Sequence, residues 1–189
     1  MEEARKLEGY SYEDYLEIDR STPEHERYEL IDGVIYMMAG ASAAHQDVVG
    51  NIFYTLRREL GEGSGCKARV APFDLKLECG GGIHVVQPDV MLFCGDSELP
   101  CLLWEVLSPS TAAKDKGPKK DLYERCGIRE YCIVDLHERI VDLYRLTGTD
   151  DGKEWYRYVR GYGMEDCLYL ECLGAEIEVE ELFEGIESR

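Results

Sequence analysis

The sequence predicts an α/β fold in which a central mixed β-sheet is flanked by helices. Three observations carry this expectation. Segments with an apolar period of two alternate along the chain with segments at helical spacing. Cys101-Leu102-Leu103-Trp104-Glu105-Val106-Leu107 is almost continuously apolar, as in a central strand covered on both faces. Asp32-Gly33 separates two β-like runs, the strongest short hairpin signal. No repeat, linker or low-complexity run divides the chain of 189 residues. It is read as one domain, residues 1–189, on a prior of roughly 150 residues per domain.

The elements follow in order. Residues Ser11 to Arg20 have helical spacing, and Ser21-Thr22-Pro23 ends the helix because the residue before proline is pushed out of the α region. Tyr28 to Ile31 and Val34 to Met38 are the hairpin strands. Gly40 to Ala44 is a turn, and Val48, Val49, Ile52, Phe53, Leu56 and Leu60 mark the apolar face of a long helix closed by Gly61 to Gly65. Phe73, Leu75 and Leu77 alternate with Asp74, Lys76 and Glu78 in a half-buried strand, and Gly80 to Gly82 turns the chain into a partner strand, Val85 to Phe93. After the Cys101–Leu107 strand, a helix runs from about Asp115 to Cys126 and stops at Gly127, a residue suited to the left-handed position after a helix. Ile128 to Asp135, Ile140 to Leu146 and Trp155 to Arg160 complete the strands, and Val179 to Glu184 is a short acidic amphipathic segment.

Composition limits the function. The chain has 39 Asp and Glu against 21 Lys and Arg, a formal charge of −18, which argues against binding polyphosphate or an anionic membrane through net charge. At 44% hydrophobic with 13 Tyr, it has the material for a core and does not read as disordered. The eight Cys follow no apolar leader, so free thiols packed as small hydrophobes in a reducing cytoplasm are expected. No Cys-x-x-Cys pair exists and the four His are scattered, which speaks against structural zinc.

Asp89 and Glu105 form the sharpest pair. They stand 16 residues apart on strands that a short connection could set side by side. An ionised Glu105 inside Leu-Leu-Trp-Glu-Val-Leu is costly to bury unless a cation or donor meets it. Two carboxylates and a backbone carbonyl suit Mg²⁺, which keeps waters and seeks phosphate oxygens. A buried Arg partner, or a Glu105 that reaches the strand end, would satisfy the same residue. Asp115, Lys119 and Tyr123 share a helical face. Lys119 there could serve a metal-bound water or form an ordinary surface ion pair.

Tyr28-Glu29-Leu30-Ile31-Asp32-Gly33, Gln87-Pro88-Asp89-Val90, Trp104 to Thr111, Asp115 to Tyr123 and Gly127 to Asp135 occur in an order and spacing that closely resembles one family. It is the restriction-endonuclease family known as Uma-two, within the PD-(D/E)XK nuclease superfamily, and the resemblance runs from about Tyr10 to Phe183. It implies a restriction-endonuclease-like core with a divalent-metal site for phosphodiester cleavage. Asp89 takes the motif Asp position, Glu105 the motif acidic position, and Glu29 that of a third contributor to the metal site. The superfamily Lys, two residues after the acidic one, is replaced here by Leu107. Lys119 on the following helix is assigned that role, because Lys120 would project about 100° away.

His45 reads either as a substrate contact or as a cap, and Asp74 as a site neighbour or a solvated residue. Gly40-Ala41-Ser42-Ala43-Ala44 lacks the final glycine of a nucleophile elbow and is set aside. The expectation is a Mg²⁺- or Mn²⁺-dependent deoxyribonuclease. Asp89, Glu105, Glu29 and the Val106 carbonyl would hold the metal, Lys119 would act on the attacking water, DNA would be the substrate, and the state would be a homodimer. The alternative is a nuclease-fold binding or regulatory module.

Overall fold

The computed structural model describes residues 6–23, 26–38, 40–148 and 154–186. The polar opening segment, Met1 to Arg5, and His25 lie outside them. Thirteen strands and five short or medium α-helices follow in the order β1 (Lys6–Glu8), α1 (Tyr12–Ser21), β2 (Tyr28–Ile31), β3 (Val34–Met37), α2 (Ala43–Glu59), β4 (Cys66–Val70), β5 (Leu75–Cys79), β6 (Gly82–Val86), β7 (Val90–Cys94) and β8 (Leu102–Val106). Then come α3 (Ala112–Lys114), a π-helical turn (Asp115–Lys119), α4 (Lys120–Arg125), β9 (Glu130–Asp135), β10 (Ile140–Gly148), β11 (Glu154–Tyr162), β12 (Cys167–Leu170), β13 (Ala175–Glu178) and α5 (Val179–Leu182). Among the described residues no helix is long and apolar enough to cross a membrane.

The expected central mixed sheet is a six-stranded one in the order β11-β10-β9-β8-β7-β4. Only β8 and β9 run parallel, joined by the α3–α4 crossover, and β8 is buried at every position. Alternate residues of β8 serve opposite faces. Leu102, Trp104 and Val106 pack with Val48, Val49, Ile52 and Leu56 of α2, together with β12, β13 and α5. Leu103 packs on the other face with Leu122 and Tyr123 of α4 and with Leu75, Leu77 and Val86. Glu105, two residues beyond Leu103, therefore faces the α4 side.

Around this sheet the strands divide further than the sequence pattern predicted. A five-stranded antiparallel sheet, β1-β3-β2-β6-β5, and a β12–β13 ribbon are separate from the central one. The single strand expected over Val85 to Phe93 is two strands, β6 and β7, in different sheets. Pro88 has no N–H for a ladder, and the N–H of Gln87 donates to the Glu29 carboxylate at 2.8 Å instead of to a neighbouring strand. β1, β4, β12 and β13 lie where no strand was expected. These strands are three to five residues long, too short for a period to register, and β4, Cys-Lys-Ala-Arg-Val, has no fully buried position. The Asp32-Gly33 hairpin is as expected, with both residues at positive φ (50° and 72°), the geometry of a tight two-residue turn.

The helix expected from Asp115 begins at Ala112, three residues early, and passes through the π turn. The expectation of eight free thiols is corrected at four positions. Cys66–Cys94 and Cys79–Cys126 are disulfide-bonded, whereas Cys101, Cys132, Cys167 and Cys172 are free. Periodicity and spacing carried no sign of these pairs, because each joins residues that only the tertiary fold makes neighbours, Cys79 at the end of β5 and Cys126 at the end of α4 in one case. Cys66 and Cys94, for instance, are directly opposed in the β4–β7 ladder.

Glu130, fully buried at the start of β9, fastens the β12–β13 ribbon to the sheet. It accepts from Arg145 Nε and Nη2 at 3.1 and 2.9 Å and from the backbone N–H groups of Glu171 and Cys172 at 3.1 and 2.8 Å. Removing it strands two backbone amide donors and leaves Arg145 only Glu171 and the Tyr169 carbonyl. Glu130→Ala is expected to lower unfolding stability by about 3 kcal/mol or more, measured by urea denaturation. A loss under ~1 kcal/mol would contradict the role given to this contact.

Candidate active site

The site forms where β8 ends and the chain turns through Ser108-Pro109-Ser110-Thr111 into α3. Thr111 Oγ1 accepts from the Ser108 N–H at 3.2 Å, and the Ser108 carbonyl accepts from the Ala112 N–H at 3.0 Å, which starts the helix. The π turn follows and contains Pro118. A wider turn suits a residue that cannot donate. It sets Asp115 and Lys119, and Tyr123 beyond them, on one buried face, with Asp115 and Lys119 each only 2% exposed.

Lys119 is the hub. Its Nζ lies 2.8 Å from Glu105 Oε1, 2.8 Å from Glu29 Oε1 and 3.8 Å from Asp115 Oδ1. The Tyr123 hydroxyl also donates to Glu105 Oε1 at 2.8 Å. Both oxygens of Glu29 are engaged, Oε1 by Lys119 and the Gln87 N–H, and Oε2 by the Lys114 ammonium. Asp89 Oδ2 accepts from the Val106 N–H at 2.7 Å and lies 3.3 Å from His45 Nε2. Gln87 Nε2 donates to Asp74 Oδ1 at 2.6 Å. Lys120 points elsewhere, its ammonium 5.1 Å over the Tyr144 ring.

Electrostatics follow from this packing. Burial works against a charged Lys119, yet Glu105, Glu29 and Asp115 hold its pKa well above the usual lysine value. Burial also opposes ionisation of Glu29, but Lys119 and Lys114 outweigh it and bring its pKa down to about 2. Glu105 goes the other way. Burial raises it well above the ordinary carboxylate range despite Lys119, helped by Asp115, Asp89 and Glu29. His45 is raised, its burial outweighed by the hydrogen bond to Asp89 and by the Val106 backbone.

A cleft of about 340 Å³ opens here. Arg27, Lys114 and Lys119 line it together with Asp89, Glu105 and Asp115, so the wall is close to charge balance in a strongly acidic chain. Among the described residues, no three acidic, His or Cys side chains converge as a ready metal cage. Among the described residues, three carboxylate oxygens of the cleft accept no hydrogen bond from the protein, Asp89 Oδ1, Glu105 Oε2 and Asp115 Oδ1. An oxygen-only set of one or two carboxylates fits Mg²⁺ or Mn²⁺, which retain several waters. Glu29, with both oxygens engaged and no part in the cleft wall, fits a charge partner of Lys119 better than a ligand.

Asp89, Glu105, Val106 and Lys119 thus come together as expected from the sequence, with Glu29 one contact further in. His45 is both an early residue of α2, where its N–H is capped by the Ser42 hydroxyl at 3.2 Å, and a neighbour of Asp89. Asp74 meets the site through Gln87. Gln87, Lys114 and Arg27 were not singled out by their sequence context. The signal that could have shown a break there is Pro88, which the expected Val85–Phe93 strand ran through, and nothing local set Lys114 apart from Lys116.

The central mixed sheet and flanking helices are shared with a solved structure. That structure, from Anabaena variabilis and described as a "putative nuclease belonging to DUF820", superposes with a TM-score of 0.70 at 14% identity, covering 93% of this chain and 98% of that one. The Uma2 family model, described as "Putative restriction endonuclease", matches residues 12–180, and the chain belongs to that family. Two Synechocystis sp. proteins are similar over most of their length. "Uncharacterized protein slr1290" is 31% identical over 185 residues, 93% of this chain and 92% of that protein. "Uncharacterized protein sll1609" is 28% identical over 174 residues, 86% and 88% of the two chains.

The opposite shifts of Glu29 and Glu105 have opposite consequences for stability. A folded-state pKa of about 2 lies below the ordinary 4.5, so ionised Glu29 stabilises the fold above pH 4.5 and loses that contribution as pH falls towards 2. The upper bound is roughly 3 kcal/mol. Glu105, raised instead, favours the fold in its protonated form and ceases to as pH rises through its folded pKa. Glu29→Gln is expected to be destabilised at pH 7, with the deficit shrinking towards pH 2, while Glu105→Gln is at least as stable as wild type. Thermal melts across pH test this, and a pH-independent Glu29→Gln deficit would contradict it.

Proposed function

We propose that this chain is a Mg²⁺- or Mn²⁺-dependent endonuclease that hydrolyses phosphodiester bonds in DNA. The observation that carries the reading is the pair of carboxylates, Asp89 and Glu105, each with an oxygen not used by the protein, lining one cleft beside the buried Lys119 ammonium. When bound there, the cation would act as a Lewis acid on a phosphate oxygen and lower the pKa of a coordinated water. Asp89 and Glu105 would hold it, with the Val106 carbonyl as a third oxygen. The Val106 N–H fixes the Asp89 carboxylate in place. Lys119 offsets the charge of Glu105 and offers an ammonium to the attacking water or to the pentacoordinate phosphate. Glu29 keeps Lys119 protonated and aimed. DNA as substrate rests on the family and on phosphate chemistry, and a homodimer accompanies it because cutting two strands calls for two copies of the site.

One observation favours a second reading, a binding or regulatory module on the same fold. The Lys119 ammonium and the His45 imidazole already stand against Glu105 and Asp89, in a chain of charge −18. The two readings separate in a cleavage assay on plasmid and single-stranded DNA with Mn²⁺. The nuclease reading expects cleavage by wild type and a loss of at least about 100-fold in Asp89→Ala, Glu105→Ala and Lys119→Ala. Equal activity in all four proteins would place the chemistry elsewhere, and no cleavage by wild type on either substrate would favour the module.

A further inference from the structure

Asp115 is the cleft carboxylate whose surroundings the arrangement above does not explain. It is 2% exposed, and its Oδ1 has no hydrogen-bond partner. Lys119 stands 3.8 Å away, beyond hydrogen-bond range. A buried carboxylate oxygen without a donor is costly, and proteins keep such atoms where something else completes them. Among the described residues four buried side-chain atoms are left in this state, and three of them, on His45, Gln87 and Asp115, belong to residues of this one cleft. The fourth, Trp104 Nε1, is in the core.

The backbone supplies an independent observation. Asp115 opens the π turn, a departure from α-helical geometry that is seldom retained except at functional sites. Its carbonyl is secured by the Tyr131 hydroxyl at 3.0 Å, so the turn is held in place from the sheet. The carboxylate acts electrostatically on Glu105 and on His45, which touches Asp89, and so it belongs to the same charge group as the two proposed ligands. Thr111, Lys114 and Lys119 restrain the charge, Lys119 as an ion pair 3.8 Å from Oδ1, while Oδ1 itself accepts no hydrogen bond.

We propose that Asp115 is a further member of the cation site, its Oδ1 accepting from a water of the hydrated metal ion beside Asp89 and Glu105. This rests on the metal reading above and extends it to a residue on the π turn. Mg²⁺ and Mn²⁺ keep part of their hydration shell in such sites, and a carboxylate that fixes one of those waters is typically worth a 10- to 100-fold change in affinity.

Isothermal titration of Mn²⁺ into the purified protein, without DNA, tests it. Wild type is expected to bind, Asp89→Asn to lose binding, and Asp115→Asn to weaken it about 10-fold or more. Asp121→Asn, an exposed acid on α4, should match wild type. Asp115→Glu separates ligand from scaffold. It keeps the charge, so affinity should recover to within about threefold of wild type if the carboxylate serves the ion. If Asp115 only shapes the turn, the longer side chain should do as much harm as Asn. Wild-type affinity in Asp115→Asn, or no recovery in Asp115→Glu, overturns the proposal and leaves Asp89 and Glu105 standing. No Mn²⁺ binding by wild type overturns both.

Discussion

The structure turns on one buried ammonium. Lys119 is held among Glu105, Glu29 and Asp115 with almost no solvent access. Alone, a lysine in that position would shed its proton, and three nearby carboxylates would not all ionise. Together they are tolerable, and the compromise is uneven: Lys119 and Glu29 are held charged, whereas Glu105 is pushed towards its protonated form. A divalent ion at Glu105 would supply the positive charge that Lys119 alone does not, and its binding would release a proton.

The fold exists in this form because the cluster draws on three different elements. Glu29 comes from β2 of the five-stranded sheet, Glu105 from β8 of the six-stranded sheet, and Asp115 and Lys119 from the π turn between α3 and α4. Gln87, in the link between β6 and β7, is fastened on the five-stranded side, its N–H on Glu29 of β2 and its side-chain amide on Asp74 just before β5. A carboxylate can only accept, so Asp74 fixes the Gln87 amide with its oxygen turned away. The break that defeated the single-strand reading of Val85 to Phe93 is thus the joint at which the sheets meet and from which Asp89 projects. Shared charge at the sheet junction holds side chains from separate elements in fixed positions, as a precise site requires.

The signals that were legible in the sequence were those of local chemistry. The continuous apolar run around Glu105 implied a buried central strand and a charged residue in need of a partner, and Asp32-Gly33 implied its turn. The spacing of Asp115, Lys119 and Tyr123 placed all three on one face, and Glu29, Asp89, Glu105 and Lys119 meet within one cluster of contacts. What could not be read was long-range pairing. The short strands β1, β4, β12 and β13 owe their existence to neighbours, Cys66 and Cys94 are partners only through the β4–β7 register, and Lys114 reaches Glu29 only because the crossover lies over β2. Asp115, which reads as half of a surface i,i+4 pair, became a site residue because the helix that carries it is buried on that side. The charge of −18 is likewise a global sum with little local meaning, since the cleft wall itself is near neutral.

The central claim is that Asp89 and Glu105 share one divalent cation beside Lys119. A crystal grown with Mn²⁺ and measured for anomalous scattering tests it directly. The account predicts one strong peak about 2.1–2.3 Å from a carboxylate oxygen of each residue, with Lys119 still against Glu105 or turned to a ligand water. A fully occupied Mn²⁺ bound elsewhere, or a cleft in which Lys119 and His45 alone satisfy both carboxylates at saturating Mn²⁺, would contradict it.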